Sequence, residues 1–225
     1  MKPKDDFFGR ALFEYSRNSN THLFLIKTDR TKFSVDLNYY FREFKNLSDL
    51  EIKAISLAKG EILDVGCATG YYIPLLKRYG KIDAIDISEP AIKLAKTGGI
   101  KECHVADIFK YNPGKTYDTI TLFENNIGLG GTYFKTKKMF RKLTNLLKIN
   151  GQIIAIVRHT DYRDKYYSSK YKIIWKGNIR KGFRWFYFNI NFLPTFCRKF
   201  NLKLEILDED DDDGRKMYLV RLLRH

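Results

Sequence analysis

Between residues 60 and 159 short apolar runs alternate with stretches of helical periodicity. The runs are EILDV (61–65), IDAID (82–86), KECHV (101–105), YDTITLF (117–123) and QIIAIV (152–157). Apolar runs this short, bounded by turn residues, read as strands covered on both faces. Helical patterns lie between them at about 70–80, 88–97 and 132–148. Ser88 with Glu89 and Pro90 reads as an N-cap followed by an early proline. Asn150-Gly151 is expected to close the third helix as a C-cap. Strands alternating with helices predict a parallel sheet with right-handed crossovers.

The flanks are patterned differently. Residues 47–58, LSDLEIKAISLA, have apolar positions at roughly helical spacing. KYKIIW and FRWFYFNI within 170–190 are strand-like and are split by Lys176-Gly177-Asn178, a hairpin signal. Pro194 opens a short helix to about 200. LKLEILDE (202–209) and KMYLVRLL (216–223) then form an antiparallel pair joined by an acidic turn ending in Asp213-Gly214. The expected fold is α/β: a seven-stranded, mostly parallel sheet with its last strand antiparallel and helices on both faces. A β-hairpin is added on the substrate side. We read one domain over 1–225, with a helical lid segment (1–58), a core (59–160), a basic aromatic hairpin (161–192) and a C-terminal helix and strand pair (193–225).

Composition narrows the partners more than the fold. Lys and Arg number 41 against 26 Asp and Glu, a net charge of +15, which favours an anionic partner over a cationic one. Cys67, Cys103 and Cys197 form no CxxC pair and no zinc-spaced cluster, so neither a disulfide scaffold nor a metal is expected. MKPKDDFFGR lacks the apolar core of a signal peptide. No apolar run approaches the ~18–20 residues of a membrane span. A cytoplasmic protein, monomer or homodimer, with no membrane partner is the expectation.

The strongest chemical signal is EILDVGCATG (61–70), a strand that ends in a glycine-rich turn before a helix. Such turns hold nucleotide-like ligands at the carboxyl ends of parallel strands. The spacing is neither GxxxxGK[ST] nor GxGxxG, which disfavours a P-loop and a nicotinamide site. Asp86 lies 22 residues after Asp64 at the end of the second strand, where a carboxylate can accept from both hydroxyls of a ribose. Asp107 ends the third strand and can accept from an adenine amino group. Three strand-end carboxylates predict one shared crevice.

DVGCATG, IDAIDIS, HVADI and YDTITLFENN together resemble the class I S-adenosylmethionine-dependent methyltransferases, a Rossmann-like family. The resemblance covers roughly 60–160, and the terminal strand pair extends it. The chain keeps Asp64, Gly66 and Gly70 but has Ala68 where the family has its middle glycine. The resemblance implies S-adenosyl-L-methionine as cofactor and S-adenosyl-L-homocysteine as product. It implies Asp64, Gly66, Ala68 and Gly70 at the methionine part, Asp86 and Ile87 at the ribose, and Asp107 with Ile108 at the adenine. Phe123, Glu124 and Asn125 would face the sulfonium and the acceptor. The two chain ends, YYFREF and DDDDGRKMYLVRLLR, resemble a bacterial and archaeal small-molecule-type branch that brings no substrate with it.

FENNIGLGG (123–131) lacks the [DN]PP[YFW] pattern of amino-directed nucleic-acid enzymes, and no cysteine nucleophile of the cytosine-C5 type is present. A small-molecule acceptor with an O, N or S nucleophile, able to carry negative charge, is therefore expected. An RNA or protein acceptor and a non-catalytic cofactor binder are the alternatives. Residues 158–184 hold nine Lys/Arg against two acidic residues, with aromatics interleaved, and this is the feature a nucleic-acid partner would use. Strand alternation instead turns the aromatics inward and leaves the lysines solvated. His159, after the fifth strand, is the candidate general base, beside Asn125 as a second catalytic candidate. Tyr39, Tyr40, Arg42 and Asp161 are the substrate-side candidates.

Overall fold

The computed structural model describes residues 6–159, 164–212 and 214–225. Two sheets organise the chain. The larger has seven strands: β3 (Gly60–Val65), β4 (Gly80–Asp86), β5 (Cys103–Val105), β6 (Tyr117–Leu122), β7 (Leu147–Arg158), β10 (Leu202–Asp212) and β11 (Arg215–Arg224). Their spatial order is β5-β4-β3-β6-β7-β11-β10. The five strands from β5 to β7 are mutually parallel, and β11 runs antiparallel to both neighbours, as expected. The order reverses between β3 and β6, so the ends of β3, β4 and β6 open on one crevice.

Alternation along the strands explains why they read as apolar runs. Leu63, Ile120 and Ile153 enter a core with helix α5 (Tyr133–Leu146) and helix α6 (Leu193–Cys197). Ile62, Ile154 and Leu219 enter a second core on the other face, with α2 (Asp49–Ser56), α3 (Ile73–Leu76) and α4 (Glu89–Thr97). Each central strand is thus covered on both sides. Ser48 caps α2 in a capping box with Glu51, and Ser88 caps α4 through Ala91 N.

Three local expectations need correction. Helix α5 stops at Leu146, four residues before Asn150-Gly151. Asn150 takes a left-handed φ of 60° inside a bulge that separates the pairs Tyr117–Leu147 and Thr119–Gln152. The helix expected at 70–80 is only Ile73–Leu76, because β4 already begins at Gly80. Asp208–Asp212 belong to β10 rather than to a loop. They pair in register with Leu219–Arg215, so Asp211 stands opposite Lys216, while Asp208 pairs with Lys53 of α2 at 2.5 Å.

The smaller sheet contradicts the expectation of a wholly helical N-terminal segment. After α1 (Phe7–Tyr15) the chain forms β1 (Leu23–Lys27) and β2 (Lys32–Val35). These join the hairpin of β8 (Tyr166–Trp175) and β9 (Asn178–Phe188) in the order β2-β1-β8-β9, all antiparallel. The expected insertion is therefore half of a four-stranded sheet. Phe7, Leu12, Leu23, Ile173 and Trp175 form its core with α1, while Phe186 and Phe188 of β9 reach into the core under α5. Tyr171, Ile173 and Trp175 are buried and Lys170 and Lys172 exposed, the alternation the sequence predicts.

Candidate active site

The glycine-rich turn after β3 is held from below. Gly66 N and Cys67 N both donate to Ile85 O of β4, at 2.8 and 3.1 Å. Gly66, Ala68 and Gly70 all have positive φ, at 86°, 47° and 77°. A Cβ on Gly66 would lie 2.5 Å from Asn126 Nδ2, so this position admits only glycine. Ala68 accepts a left-handed conformation that costs an L-residue about 1–2 kcal/mol relative to the right-handed one. Asn126 Nδ2 donates to Val65 O (2.9 Å) and Gly66 O (3.1 Å) and ties the loop after β6 to this turn.

Asp86 lies at the end of β4. Its Oδ2 accepts from Ala68 N at 2.9 Å and its Oδ1 from Ser88 N at 2.8 Å. Burial pushes the carboxyl above its usual range, and the two backbone donors oppose that rise. One donor on each oxygen leaves each a further acceptor direction for a ligand hydroxyl. Beside it Ile87 is 46% exposed, an apolar surface at the mouth of the crevice. Asp107 Oδ1 accepts from Phe109 N at 2.9 Å and Ile108 is buried. These features fit a nucleoside: acceptors for its hydroxyls, a flat apolar neighbour for its base, and a turn that admits close backbone approach. Asp64 sits behind them, 2% exposed, accepting from Thr121 Oγ1 at 2.6 Å. Burial pushes its carboxyl up to about 7.

The segment before α2 closes the other side. Asp36 caps a short 3-10 helix, Leu37–Phe41, and Thr69 Oγ1 donates to Tyr40 O above the glycine-rich turn. Glu124 and Asn125, at the end of β6, both have left-handed φ, 52° and 57°. This double turn lifts Glu124 toward the strap, where its Oε1 accepts from Tyr39 Oη (2.6 Å), Tyr72 Oη (2.7 Å) and Arg42 Nη2 (3.4 Å). Arg42 is paired more closely with Glu51, at 2.6 and 3.2 Å, and the single hydroxyl proton of Tyr72 is shared between Glu124 Oε1 and Glu51 Oε1. The two carboxylates differ accordingly. Burial alone would raise Glu51, but hydrogen bonds from Tyr72, Ser48 and Arg42 hold it below the usual carboxylate range. Burial raises Glu124, and the hydroxyls of Tyr39 and Tyr72 offset this only in part. Glu51 is thus the carboxylate held ionised against Arg42, and Glu124 the one whose affinity for a proton is raised.

The structure thus brings the expected residues Gly66, Ala68, Gly70, Asp86, Phe123, Glu124, Asn125, Tyr39, Tyr40 and Arg42 to one crevice. His159 lies elsewhere on the same edge. Its Nδ1 accepts from Ile190 N at 3.3 Å and its ring stands edge-on to Tyr218, so it packs toward β11 and α6. Asp161 falls outside the described residues. Glu51, Tyr71, Tyr72 and Asn126 were not legible as site residues. Glu51 reads locally as a capping-box residue, and only the Tyr71-Tyr72 pair directly after Gly70 hinted at a role. Strands β8 and β9 cover the far side: Trp185 Nε1 of β9 donates to Asn125 O at 3.2 Å, and Ser168 Oγ of β8 to Gly131 O at 2.6 Å. Among the described residues no group of three or more His, Cys, Asp or Glu side chains is placed to hold a metal.

Comparison with known proteins falls on the same elements. Residues 62–151 match the family described as "Methyltransferase domain". A solved S-adenosylmethionine-dependent methyltransferase from Bacteroides fragilis, in complex with S-adenosyl-L-homocysteine, superposes with a TM-score of 0.88 at 24% identity, over 100% of this chain and 98% of that one. One from Clostridium acetobutylicum gives 0.59 at 17% identity, over 84% of this chain and 95% of that one. The amino pentose methyltransferase CalS10 from Micromonospora echinaspora gives 0.55 at 14% identity, over 78% and 87%. No curated protein sequence matches the chain. The family match runs from β3 into β7, the strands that carry the crevice, and the fold is that of the S-adenosylmethionine-dependent methyltransferases on which the chain superposes.

Proposed function

We propose that the protein transfers a methyl group from S-adenosyl-L-methionine to a nitrogen or oxygen nucleophile of a small molecule. Bound at the glycine-rich turn, the cofactor supplies a methyl carbon already activated by a sulfonium. The protein's own task is alignment and exclusion of water, an orientation effect worth about 7–11 kcal/mol. Asp86 receives the ribose hydroxyls, and Ile87 and Ile108 flank the base. Tyr40 and Thr69 close the strap over the turn. Glu124 takes the proton that an amine or hydroxyl acceptor loses.

The observation that carries this reading is the asymmetry between Glu51 and Glu124: two carboxylates share one guanidinium, and the less neutralised one stands beside the turn. The amino pentose methyltransferase of the same fold acts on a small amino sugar, which supports a small-molecule acceptor. The outward-facing Lys170 and Lys172 are solvated rather than gathered at the crevice, which favours a small molecule over RNA. Titration calorimetry with S-adenosyl-L-methionine and S-adenosyl-L-homocysteine is the first test. Saturable binding, weakened about a hundredfold or more in Asp86→Ala, is expected, since two hydrogen bonds to a charged acceptor are lost. A panel of small amines and alcohols then separates wild type from Glu124→Gln by S-adenosyl-L-homocysteine release, with the rate falling about 10²-fold or more. Binding unaffected by Asp86→Ala would overturn the ribose assignment, and turnover unaffected by Glu124→Gln the proton acceptor.

A further inference from the structure

Among the described residues, three buried polar atoms on adjoining segments have no hydrogen-bond partner: Asn125 Nδ2, Arg158 Nε and Ser169 Oγ. They come from separate segments, the turn after β6, the end of β7 and the middle of β8. Asn125 is 6% and Ser169 2% exposed. Contacts on the page draw them together. Arg158 N donates to Asn125 Oδ1 at 3.1 Å, and Trp185 Nε1 donates to Asn125 O at 3.2 Å. Ser169 is the cross-strand partner of Trp185. Tyr187, two residues along β9, shares a 2.8 Å hydroxyl contact with Tyr171 and lies near enough to feel the charge of Arg158.

A buried donor left unpaired costs about 1–3 kcal/mol, so such atoms are uncommon in folded proteins and call for an explanation. Here two are donors and the third is a hydroxyl, and one belongs to a guanidinium. That set matches an oxyanion, which offers several lone pairs and a negative charge. The place is the acceptor side, because Asn125 follows Glu124 directly and β9 roofs the loop 125–131. Resting on the methyl-transfer reading above, we infer that the acceptor is a small molecule with an oxyanion group, a carboxylate or a phosphate, held by Arg158, Asn125 Nδ2 and Ser169. The anion anchors the molecule under β9 and leaves its nucleophile toward Glu124.

The test needs no knowledge of the acceptor. The chain has two tryptophans, so the Trp185 indole N–H is readily assigned in a proton–nitrogen correlation spectrum. Protein with and without S-adenosyl-L-homocysteine is titrated with acetate, inorganic phosphate and neutral acetamide at constant ionic strength. Acetate or phosphate is expected to shift the Trp185 indole saturably, and acetamide not. The stronger of the two anions identifies the group. Arg158→Met is expected to weaken the anion about tenfold or more and Arg158→Lys less, because lysine keeps the charge but not the fork. Ser169→Ala is expected to weaken it about threefold. Equal response to acetamide, or an unchanged anion curve in Arg158→Met, overturns the site. Should Arg158→Met not fold, the anion–acetamide contrast in wild type and the Ser169→Ala variant decide the matter. S-adenosyl-L-homocysteine binding without an anion response sinks this inference alone; an anion response without S-adenosyl-L-homocysteine binding keeps the anion site but sinks the functional reading, and with it the assignment of that anion to a methyl acceptor.

Discussion

On the proposed reading the two sheets serve the cofactor and the acceptor respectively, and they are assembled in opposite ways. In the seven-stranded sheet each cofactor-side residue sits at the end of a strand whose neighbour is close in sequence. In the four-stranded sheet Leu23 pairs with Trp175 and Ile26 with Lys172, partners separated by most of the chain. The first sheet is a strand–turn–helix device repeated, so its site is local. The second exists only when both ends of the chain meet, and it roofs the loop through Trp185, Ser168 and Gly128, where a Cβ would stand 2.2 Å from Phe186 O. A local crevice can keep one cofactor while a roof built from distant segments changes its acceptor.

That contrast can be broken or sharpened by experiment. Trp175→Ala removes the ring packed edge-on to Phe7 at 5.5 Å and is expected to cost about 3–5 kcal/mol. If the two regions are separable, hydrogen exchange accelerates in β1, β8 and β9 while β3, β4 and β6 stay protected. Uniform acceleration would show a single cooperative unit. Asp64 tests the parallel sheet through pH. Its folded value of about 7 lies above an unfolded carboxylate near 4, so its contribution to stability is full below about pH 4 and is lost as pH rises through 7. Wild type should lose on the order of 4 kcal/mol relative to Asp64→Asn between pH 4 and 8, read by urea unfolding. Parallel pH profiles for the two proteins would contradict this.

Smaller effects probe where the two regions meet. Tyr39→Phe removes a donor that lowers the Glu124 carboxyl. Glu124 should then titrate higher, the acidic limb of the methyl-transfer rate should move to higher pH, and stability should fall by about 1 kcal/mol. A pH profile that stays in place would separate Tyr39 from the proton acceptor. Ala68→Gly relieves a left-handed alanine but frees the unfolded chain, so stability should change by less than about 1 kcal/mol, with cofactor affinity retained. Calorimetry and thermal unfolding of the one variant read both.

Legibility followed the range of the interactions. The glycine turn, Asp86, Asp107 and the parallel strands that carry them were readable because strand, turn and carboxylate lie within a few residues of one another, whereas the spatial order of the strands was not. Ala68 was readable as a departure, and its φ of 47° shows why glycine is the usual residue there. The strands at 23–27 and 32–35 were missed because a single exposed hairpin has little periodic signal until β8 covers one side. His159 read as a base from its place after β7, yet its ring turns to Ile190 and Tyr218. The helix end at Asn150-Gly151 was misread because a left-handed Asn suits a strand bulge as well as a helix cap.

The sequence by itself determined the α/β class, the parallel strands and the crevice that Gly66 and Asp86 line. Those features need only the alternation of apolar runs and helices, the freedom of glycine, and a carboxylate at a strand end. Only the tertiary structure decided which of Glu51 and Glu124 is held below the usual carboxylate range and which is raised above it, because their difference comes from how Arg42 and Tyr72, supplied by other segments, are shared between them. It alone also brought the turn after β6 against the end of β7 and the hairpin of β8 and β9, since those contacts run through Asn125, Trp185 and the strand ladder and leave no spacing that a sequence pattern can register.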